Sequence, residues 1–339
     1  MRNLLRWAGL EISEPMVFGL GSGPAFYYLF FVKGPSVLPM IGIRNPPGGI
    51  VKNINKLCGI DIVSKKHRST ERTIDIANEM IDSGIPVAAC VDMFYMKYLP
   101  SFLHVHAPFH FIVLMGRDGD TYAVSDPYSE PIGELGIDNL KAAWATHAPM
   151  AKDNLMVHIR GVPKSIDWKK CVKKAITKTC RGLLLPPVVK NVFFFVGVQG
   201  IRTYAKKMLL WPDKHKGSLF REGILFNAVG FEEQGTGGGG FRLMYGAFLQ
   251  EIADMFATPA LDDLAGQMIE HGKQWREISR KIIKVGKTLP MRDEEYEEWY
   301  SMNKGALKDG LREISDLFLE RADFEERFFK DLQRVASSL

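Results

Sequence analysis

The chain has 339 residues, enough for one large domain or two ordinary ones. Its 46% hydrophobic and 24% charged residues exclude disordered and collagen-like chains, and four scattered cysteines exclude a disulfide scaffold. A net charge of +5, from 44 Lys+Arg against 39 Asp+Glu, is too weakly basic to point to nucleic acid.

Met1–Leu10 carries Arg2 and Arg6 but no long apolar core and no small-residue cleavage site, so it does not read as a signal peptide, and the expected location is cytoplasmic. Asn3–Gly9 reads as a short helix with Leu4, Leu5, Trp7 and Ala8 inward and Gly9 as its stop. Val17–Gly23 (VFGLGSG) reads as a turn-rich loop, and Ile41–Gly49 ends in a Pro-Pro-Gly-Gly loop. Ser69 is placed to cap a helix over Thr70–Ser83, with Glu71 in its first turn, Ile74, Ala77 and Ile81 at helical spacing, and Gly84 just past its end. Ile85–Val91 is a continuous apolar run, the pattern of a strand covered on both faces. Phe111–Met115 reads as a second buried strand, Arg117-Asp118-Gly119 as a hairpin turn, and Tyr122–Ser125 as the return strand, ended by Asp126-Pro127.

The composition shifts near Pro163. Leu183–Gly200 is the most apolar stretch, but Pro186, Pro187, Lys190 and Asn191 interrupt it. A spanning helix needs about 20 mostly apolar residues, so this stretch reads as buried core and the expectation is no membrane span. From Trp168 onward the chain reads as helical, with Gly235–Gly240 as its conspicuous loop. Phe241–Phe256, Leu261–Lys284 and Glu294–Val335 carry helical periodicity, the last with an expected break near Gly305 or Gly310. Trp168, Trp211, Trp275, Tyr245 and Phe248 are spaced as core residues, and Asp293–Glu298 reads as a solvated helix start. The expected architecture is α+β over 1–163, then a mainly α-helical domain over 164–339.

The hairpin holds the best local chemistry. With a three-residue turn centred on Asp118, His110 and Asp126 each lie eight residues from the centre and face each other. Opposed residues have Cβ atoms about 4.5–5.5 Å apart. A carboxylate there fixes the imidazole tautomer and leaves the second ring nitrogen to act on a nucleophile. A one-residue slip puts Asp126 on the other face, so the reading depends on the turn type. The plainer alternative is a histidine at a strand end and an aspartate starting a turn. A rival set, His104, His106 and His110, shares one parity, but Pro108 breaks the strand and no acidic cluster completes a metal site. The expectation is no bound metal.

Several runs, in order, resemble one family. RNLLRWAGLEISEPMVFGLGSGPAF (Arg2–Phe26), LCGIDIV (Leu57–Val63), GIPVAACVDMFYMKYLP (Gly84–Pro100) and HFIVLMGRDGDTYAVSDPY (His110–Tyr128) resemble the N-terminal domain named after butirosin biosynthesis protein H. IRTYAKKMLLWPD (Ile201–Asp213), TGGGGFRLMYGAFLQEIADMF (Thr236–Phe256) and GKQWREIS (Gly272–Ser279) resemble the domain of unassigned function that often follows it. The resemblance implies a papain-like fold, related to peptidases that process bacteriocin leaders. It also implies an acyltransferase in secondary metabolism, moving an aminoacyl group from a carrier-protein thioester to a small-molecule amine. His110 and Asp126 match the family's histidine and aspartate positions. The implied partners are an acyl carrier protein and the amine acceptor. No resident cofactor is implied, the phosphopantetheine-bound acyl donor being substrate.

One departure stands out. In the family a His-Cys pair lies just ahead of the segment that begins here at Arg2, so the nucleophile position falls before Met1. Cys90 lies in a buried strand run, Cys58 precedes a glycine turn, and Cys171 and Cys180 lie in the other half. Ser22 sits in G-L-G-S-G, which is not the nucleophile-elbow pattern. Two explanations follow: a true start further upstream, which is favoured, or a protein that keeps the fold for binding alone. Hydrolysis of an amide is a further alternative on the same parts.

Two glycine loops complete the candidate substrate-binding set. Gly19, Gly21, Ser22 and Gly23 read either as a wall of the acyl cleft with N–H groups for an oxyanion, or as a tight structural turn. Gly237, Gly238, Gly239 and Gly240 lead into a helix with Arg242 in its first turn, a setting for a phosphopantetheine or carboxylate. The loop lacks the Lys-Ser/Thr ending of a P-loop, and close helix packing is the plainer alternative.

Overall fold

The computed structural model describes residues 1–33, 37–146, 152–185, 195–232 and 238–339. The fold is α+β, as expected. The chain forms two compact units: Met1–Val17 with Ile54–Ile166, and Phe18–Asn53 with Asp167–Leu339. A single cut at residue 163 assigns Phe18–Asn53 to the first unit, whereas its side chains pack in the second. Phe26 is fully buried, with its ring 6.1 Å from Tyr204 and 6.2 Å from Trp275. Phe18 stacks on Phe241 at 5.0 Å. The Ser22 hydroxyl donates to the carbonyl of Ala175, 153 residues on, at 3.2 Å.

The first unit is built on a six-stranded antiparallel sheet, in the order Asp61–Lys66, Leu155–Gly161, Val87–Val91, His110–Asp118, Thr121–Asp126, Ser129–Gly136. The central strand Val87–Val91 is buried at every position, as its unbroken apolar run requires. Val87, Ala89 and Val91 join Ile112, Leu114, Tyr122 and Val124 in one core. Helix Thr70–Asp82 adds Ile74, Ala77 and Ile81, and helix Ile137–Trp144 adds Leu140 and Trp144. Ser69 caps the first of these, its hydroxyl accepting from the Arg72 N–H at 3.1 Å. Ala88 and Cys90 point away from this core and are buried too, so both faces of the central strand are covered.

The second unit combines a three-stranded sheet, Pro39–Arg44, Pro24–Lys33 and Phe195–Val196, with long helices. Tyr204, Phe231, Trp275 and Phe318 form an aromatic centre, with Tyr204–Phe318 at 5.1 Å and Phe231–Trp275 at 5.4 Å. Such edge and offset contacts add about 0.5–1.5 kcal/mol each beyond burial.

Four local expectations are corrected. Trp7 does not face inward with Leu4 and Leu5 but is exposed. Part of the Val17–Gly23 loop is helical: a helix runs Glu14–Leu20, and the turn starts only after it. The Pro-Pro-Gly-Gly run does not end in a loop, because Pro47 opens a helix to Cys58, a position where its missing N–H costs nothing. The last helix is unbroken over Tyr296–Ser338. A helical glycine costs only about 1 kcal/mol, and a Cβ at Gly310 would lie 3.0 Å from Val285 Cγ2, so this glycine admits a neighbouring helix. Of the apolar stretch Leu183–Gly200, residues 186–194 lie outside the described residues, as does Gly237.

Candidate active site

The His110–Asp126 contact forms by a route that the hairpin arithmetic does not anticipate. The turn has two residues, Gly119 and Asp120, and leaves Asp118 opposite Thr121. A ladder running straight from that turn puts His110 and Asp126 on opposite faces. Between Leu114 and Gly116 the register shifts by one, so that Leu114 pairs with Val124 and Val113 with Ser125. The extra residue is Met115, a β-bulge. Continuing the shifted register, Asp126 falls beside Ile112, diagonal to His110 and on its face. Diagonal neighbours are within reach of long side chains.

The resulting geometry is tight. His110 Nε2 lies 2.7 Å from Asp126 Oδ2, with side-chain exposures of 10% and 0%. A carboxylate only accepts, so Nε2–H donates, and Nδ1 carries the lone pair in the neutral ring. Among the described residues no protein group bonds to Nδ1. The Tyr98 hydroxyl donates to the same Oδ2 at 2.6 Å. The Tyr128 N–H donates to Oδ1 at 2.8 Å, an Asx-turn that the Asp-Pro-Tyr order favours. Burial works to raise the Asp126 pKa, but His110, Tyr98 and the Tyr128 N–H outweigh it and hold the carboxyl below its ordinary value. Asp126 is therefore a fixed negative charge at neutral pH. Chemically, this is a base with its tautomer set by an ionised partner. Asn3 Nδ2, on the helix Arg2–Trp7, donates to Ser125 Oγ at 2.6 Å, which ties that helix to the residue beside Asp126.

The three histidines of the rival set go to separate partners. His104 Nε2 meets the Leu99 carbonyl at 2.9 Å, and His106 Nδ1 meets Asp92 Oδ2 at 2.8 Å. Among the described residues, no three His, Cys, Asp or Glu side chains are placed to hold a metal.

All four cysteines are buried. Burial pushes the Cys90 thiol up to about 12, against the pull of Lys152. Burial also pushes Cys180 up to about 12. Cys90 pairs across the sheet with Phe111, and its Sγ lies 3.8 Å from the Pro108 carbonyl. Thiols in this state are not nucleophiles at neutral pH.

Gly19, Gly21, Ser22 and Gly23 are buried in the second unit, whereas His110 and Asp126 belong to the first. A Cβ at Gly19 would sit 2.1 Å from the Phe248 ring. The N–H groups of Ser22 and Gly23 donate to the carbonyls of Gly19 and Phe18, both at 2.9 Å, so these two are not available to an oxyanion. The turn packs the helix end against the core.

Gly238, Gly239 and Gly240 are likewise buried. Gly239 has φ +60°, and a Cβ there would meet the Gly272 carbonyl oxygen at 2.4 Å. Its N–H donates to Glu232 Oε2 at 2.9 Å, which fills the anion position with a carboxylate of the chain itself. Arg242 is 1% exposed and forked onto Glu325, Nε to Oε1 at 2.9 Å and Nη2 to Oε2 at 3.0 Å. Its Nη1 donates to the Gly240 carbonyl at 2.8 Å, and its guanidinium lies 4.5 Å from the Trp275 ring centroid. His271 Nε2 meets Glu325 Oε1 at 2.9 Å. Burial opposes the Glu325 charge, but Arg242 and His271 outweigh it and hold the carboxyl down at about 2. Burial lowers the His271 pKa despite Glu325, which keeps that ring neutral. Arg242 is thus committed within the fold to Glu325. Sequence reasoning missed Glu325, His271 and Tyr98. A lone Glu in a long helix carries no local sign of its partner 83 residues away.

Two concavities lie in the second unit. One, about 320 Å³, is lined by Tyr28, Phe195, Lys207, Trp211, Lys214 and His215 among others. The other, about 520 Å³, includes His271, Arg321, Phe324 and Arg327. Neither is lined by His110, Asp126 or the glycine loops. No described helix is long and apolar enough to cross a membrane.

A family model described as butirosin biosynthesis protein H, N-terminal, matches residues 1–127. A second, described as a domain of unknown function (DUF4872), matches residues 138–332. No curated protein matches the chain.

Proposed function

We propose that this chain, which belongs to the family that joins a butirosin biosynthesis protein H N-terminal domain to this domain of unknown function, is an acyl-transfer protein of papain-like type with His110 as its base and Asp126 as the group that orients it. The observation that carries the reading is the 2.7 Å contact of His110 Nε2 with a buried, ionised Asp126, with Nδ1 left over for a substrate or a thiol.

In this reading His110 Nδ1 takes the proton of a cysteine thiol. The thiolate attacks the carbonyl of an acyl thioester, and the donor thiol leaves with the proton from His110. An amine then attacks the acyl-cysteine, gives its proton to His110, and releases the thiolate with the amide formed. Asp126 stabilises the imidazolium at each stage. The expected donor is an acyl group on the phosphopantetheine arm of a carrier protein, and the acceptor is a small-molecule amine. Water as acceptor turns the same parts into a hydrolase. Neither Cys90 nor Cys180 serves as that thiol, since burial pushes both up to about 12.

A second reading, a papain-like module that binds without catalysis, draws on the burial of all four cysteines. One experiment separates the two. Protein translated with any coding sequence found in frame ahead of Met1 is incubated with an acyl thioester and its mass is measured. The acyl-transfer reading expects one acyl adduct on a cysteine other than Cys58, Cys90, Cys171 and Cys180, lost in His110→Ala. No adduct from carrier-bound or free acyl thioesters leaves the binding reading in place.

A further inference from the structure

The residue that deepens this reading is Tyr98, in the segment between the strands Val87–Val91 and His110–Asp118. The segment is closed at its base by Asp92, which is fully buried. Asp92 Oδ1 accepts from the N–H groups of Phe94 at 3.2 Å and Ala107 at 2.9 Å. The Tyr98 ring packs against strand Ser129–Gly136, where a Cβ on Gly133 would come within 2.7 Å of Tyr98 Cδ2. Only glycine lets the ring pack so closely there. Held from both sides, the Tyr98 hydroxyl reaches Asp126 Oδ2 at 2.6 Å, the same oxygen that receives His110 Nε2–H at 2.7 Å.

We propose that Tyr98 is the positioning residue of the His110–Asp126 pair: its hydroxyl fastens the carboxylate oxygen that faces His110 and, by drawing on that oxygen's charge, loosens the hold of His110 on its proton. The proposal takes its catalytic meaning from the function proposed above, but its measurement does not depend on it. A carboxylate oxygen in a dry site needs donors. With Tyr98 in place, Oδ2 has a neutral donor whether or not His110 is protonated. Without the hydroxyl, His110 is its remaining side-chain donor, and the imidazolium form is favoured. The other titratable groups around the ring are few. Tyr128 lies at 5.7 Å between ring centroids, and Cys90 on the adjoining strand is held as a neutral thiol by its burial. Asp92 is engaged with His106. The Tyr98 phenol itself does not ionise near neutral pH, because burial and the Asp126 charge push its pKa far up.

The test is a pH titration of the His110 ring protons by NMR on the full chain. Tyr98→Phe keeps the ring and removes the hydroxyl. It should raise the His110 midpoint by about half to one pH unit, the scale of one charge-assisted hydrogen bond acting through a shared acceptor. Gly133→Ala, which crowds the ring off its seat, should move the midpoint the same way. Site-specific 3-fluorotyrosine at position 98 strengthens the donor, keeps the fold, and should move it down. His158, on the strand Leu155–Gly161 two strands away from His110, is the internal reference and should not move. A merely structural Tyr98 would leave the His110 midpoint where it is in all three variants, and that result, or a fall in Tyr98→Phe, overturns the proposal. If the midpoint shifts but no acyl adduct forms in the acylation experiment above, the acyl-transfer reading fails and the role of Tyr98 stands. If the adduct forms and the midpoint is fixed, the reverse holds.

Discussion

Arg242→Met keeps the length of the side-chain stem and deletes the guanidinium. It leaves Glu325, fully buried, with His271 and Trp275 as its partners. Stranding one half of a buried ion pair costs about 3–5 kcal/mol. The Gly240 carbonyl also loses its 2.8 Å donor, a further loss of about 1 kcal/mol. A total of about 4–6 kcal/mol is a large share of the ~5–15 kcal/mol that holds a domain together. Urea unfolding, followed by tryptophan emission and far-UV circular dichroism, measures it. The double variant Arg242→Met/Glu325→Leu should recover most of the loss, because removing both buried charges is close to neutral. With Glu325 gone, Trp275 Nε1–H donates to His271 Nε2, 2.9 Å away, once the ring carries its proton on Nδ1. The pH sign follows from Glu325, whose carboxyl drops from 4.5 to about 2 on folding. Its contribution is complete above about pH 4.5 and is lost as the pH falls through 4.5 toward 2; Arg242→Met should flatten that acid limb. A loss under about 1 kcal/mol, or a double variant as unstable as the sum of the two single ones, would refute the reasoning and return Arg242 to the role of an anion-binding arm.

Three further outcomes are expected. Gly239→Ala forces a Cβ into the Gly272 carbonyl oxygen at 2.4 Å and a residue with φ +60° into the left-handed region, so it should cost about 2–4 kcal/mol by urea unfolding. Iodoacetamide at pH 8 should leave Cys90 and Cys180 of the native chain unmodified by mass spectrometry, and both should react once urea unfolds it, since burial holds their thiols near 12. Ser69→Ala removes the 3.1 Å cap on the Thr70–Asp82 helix and should lower stability by about 1 kcal/mol.

What was legible in the sequence is what local rules decide. The Ser69 cap, the Ile74/Ala77/Ile81 stripe and the unbroken apolar run into Val91 each follow from a few neighbouring residues, and each is found. The His110–Asp126 contact was legible in outcome but not in route. The turn-centred reading places the two residues opposite each other. The hairpin instead uses a shorter turn and the Met115 bulge, which together restore the shared face. A bulge leaves no composition signal, because it is one extra residue in an otherwise ordinary strand. The glycine loops suggest N–H groups for an anion, whereas their partners, Phe248, Gly272 and Glu232, lie far along the chain or outside the loop itself. The same holds for Phe18–Asn53, whose place is decided by Phe26 meeting Tyr204 and Trp275. Tyr98 was invisible for a further reason: its partner Asp126 and its seat Gly133 are on two different strands.

The central claim is that His110, oriented by Asp126, serves as the base for acyl transfer. The most direct measurement is the rate at which protein translated with any in-frame coding sequence ahead of Met1 is acylated by a simple acyl thioester, for the parent and for His110→Ala, at matched pH. General-base catalysis is worth about 10²–10⁴-fold. The account predicts a fall of that size in His110→Ala, with a smaller fall in Asp126→Asn. Equal rates in the parent and His110→Ala would contradict it.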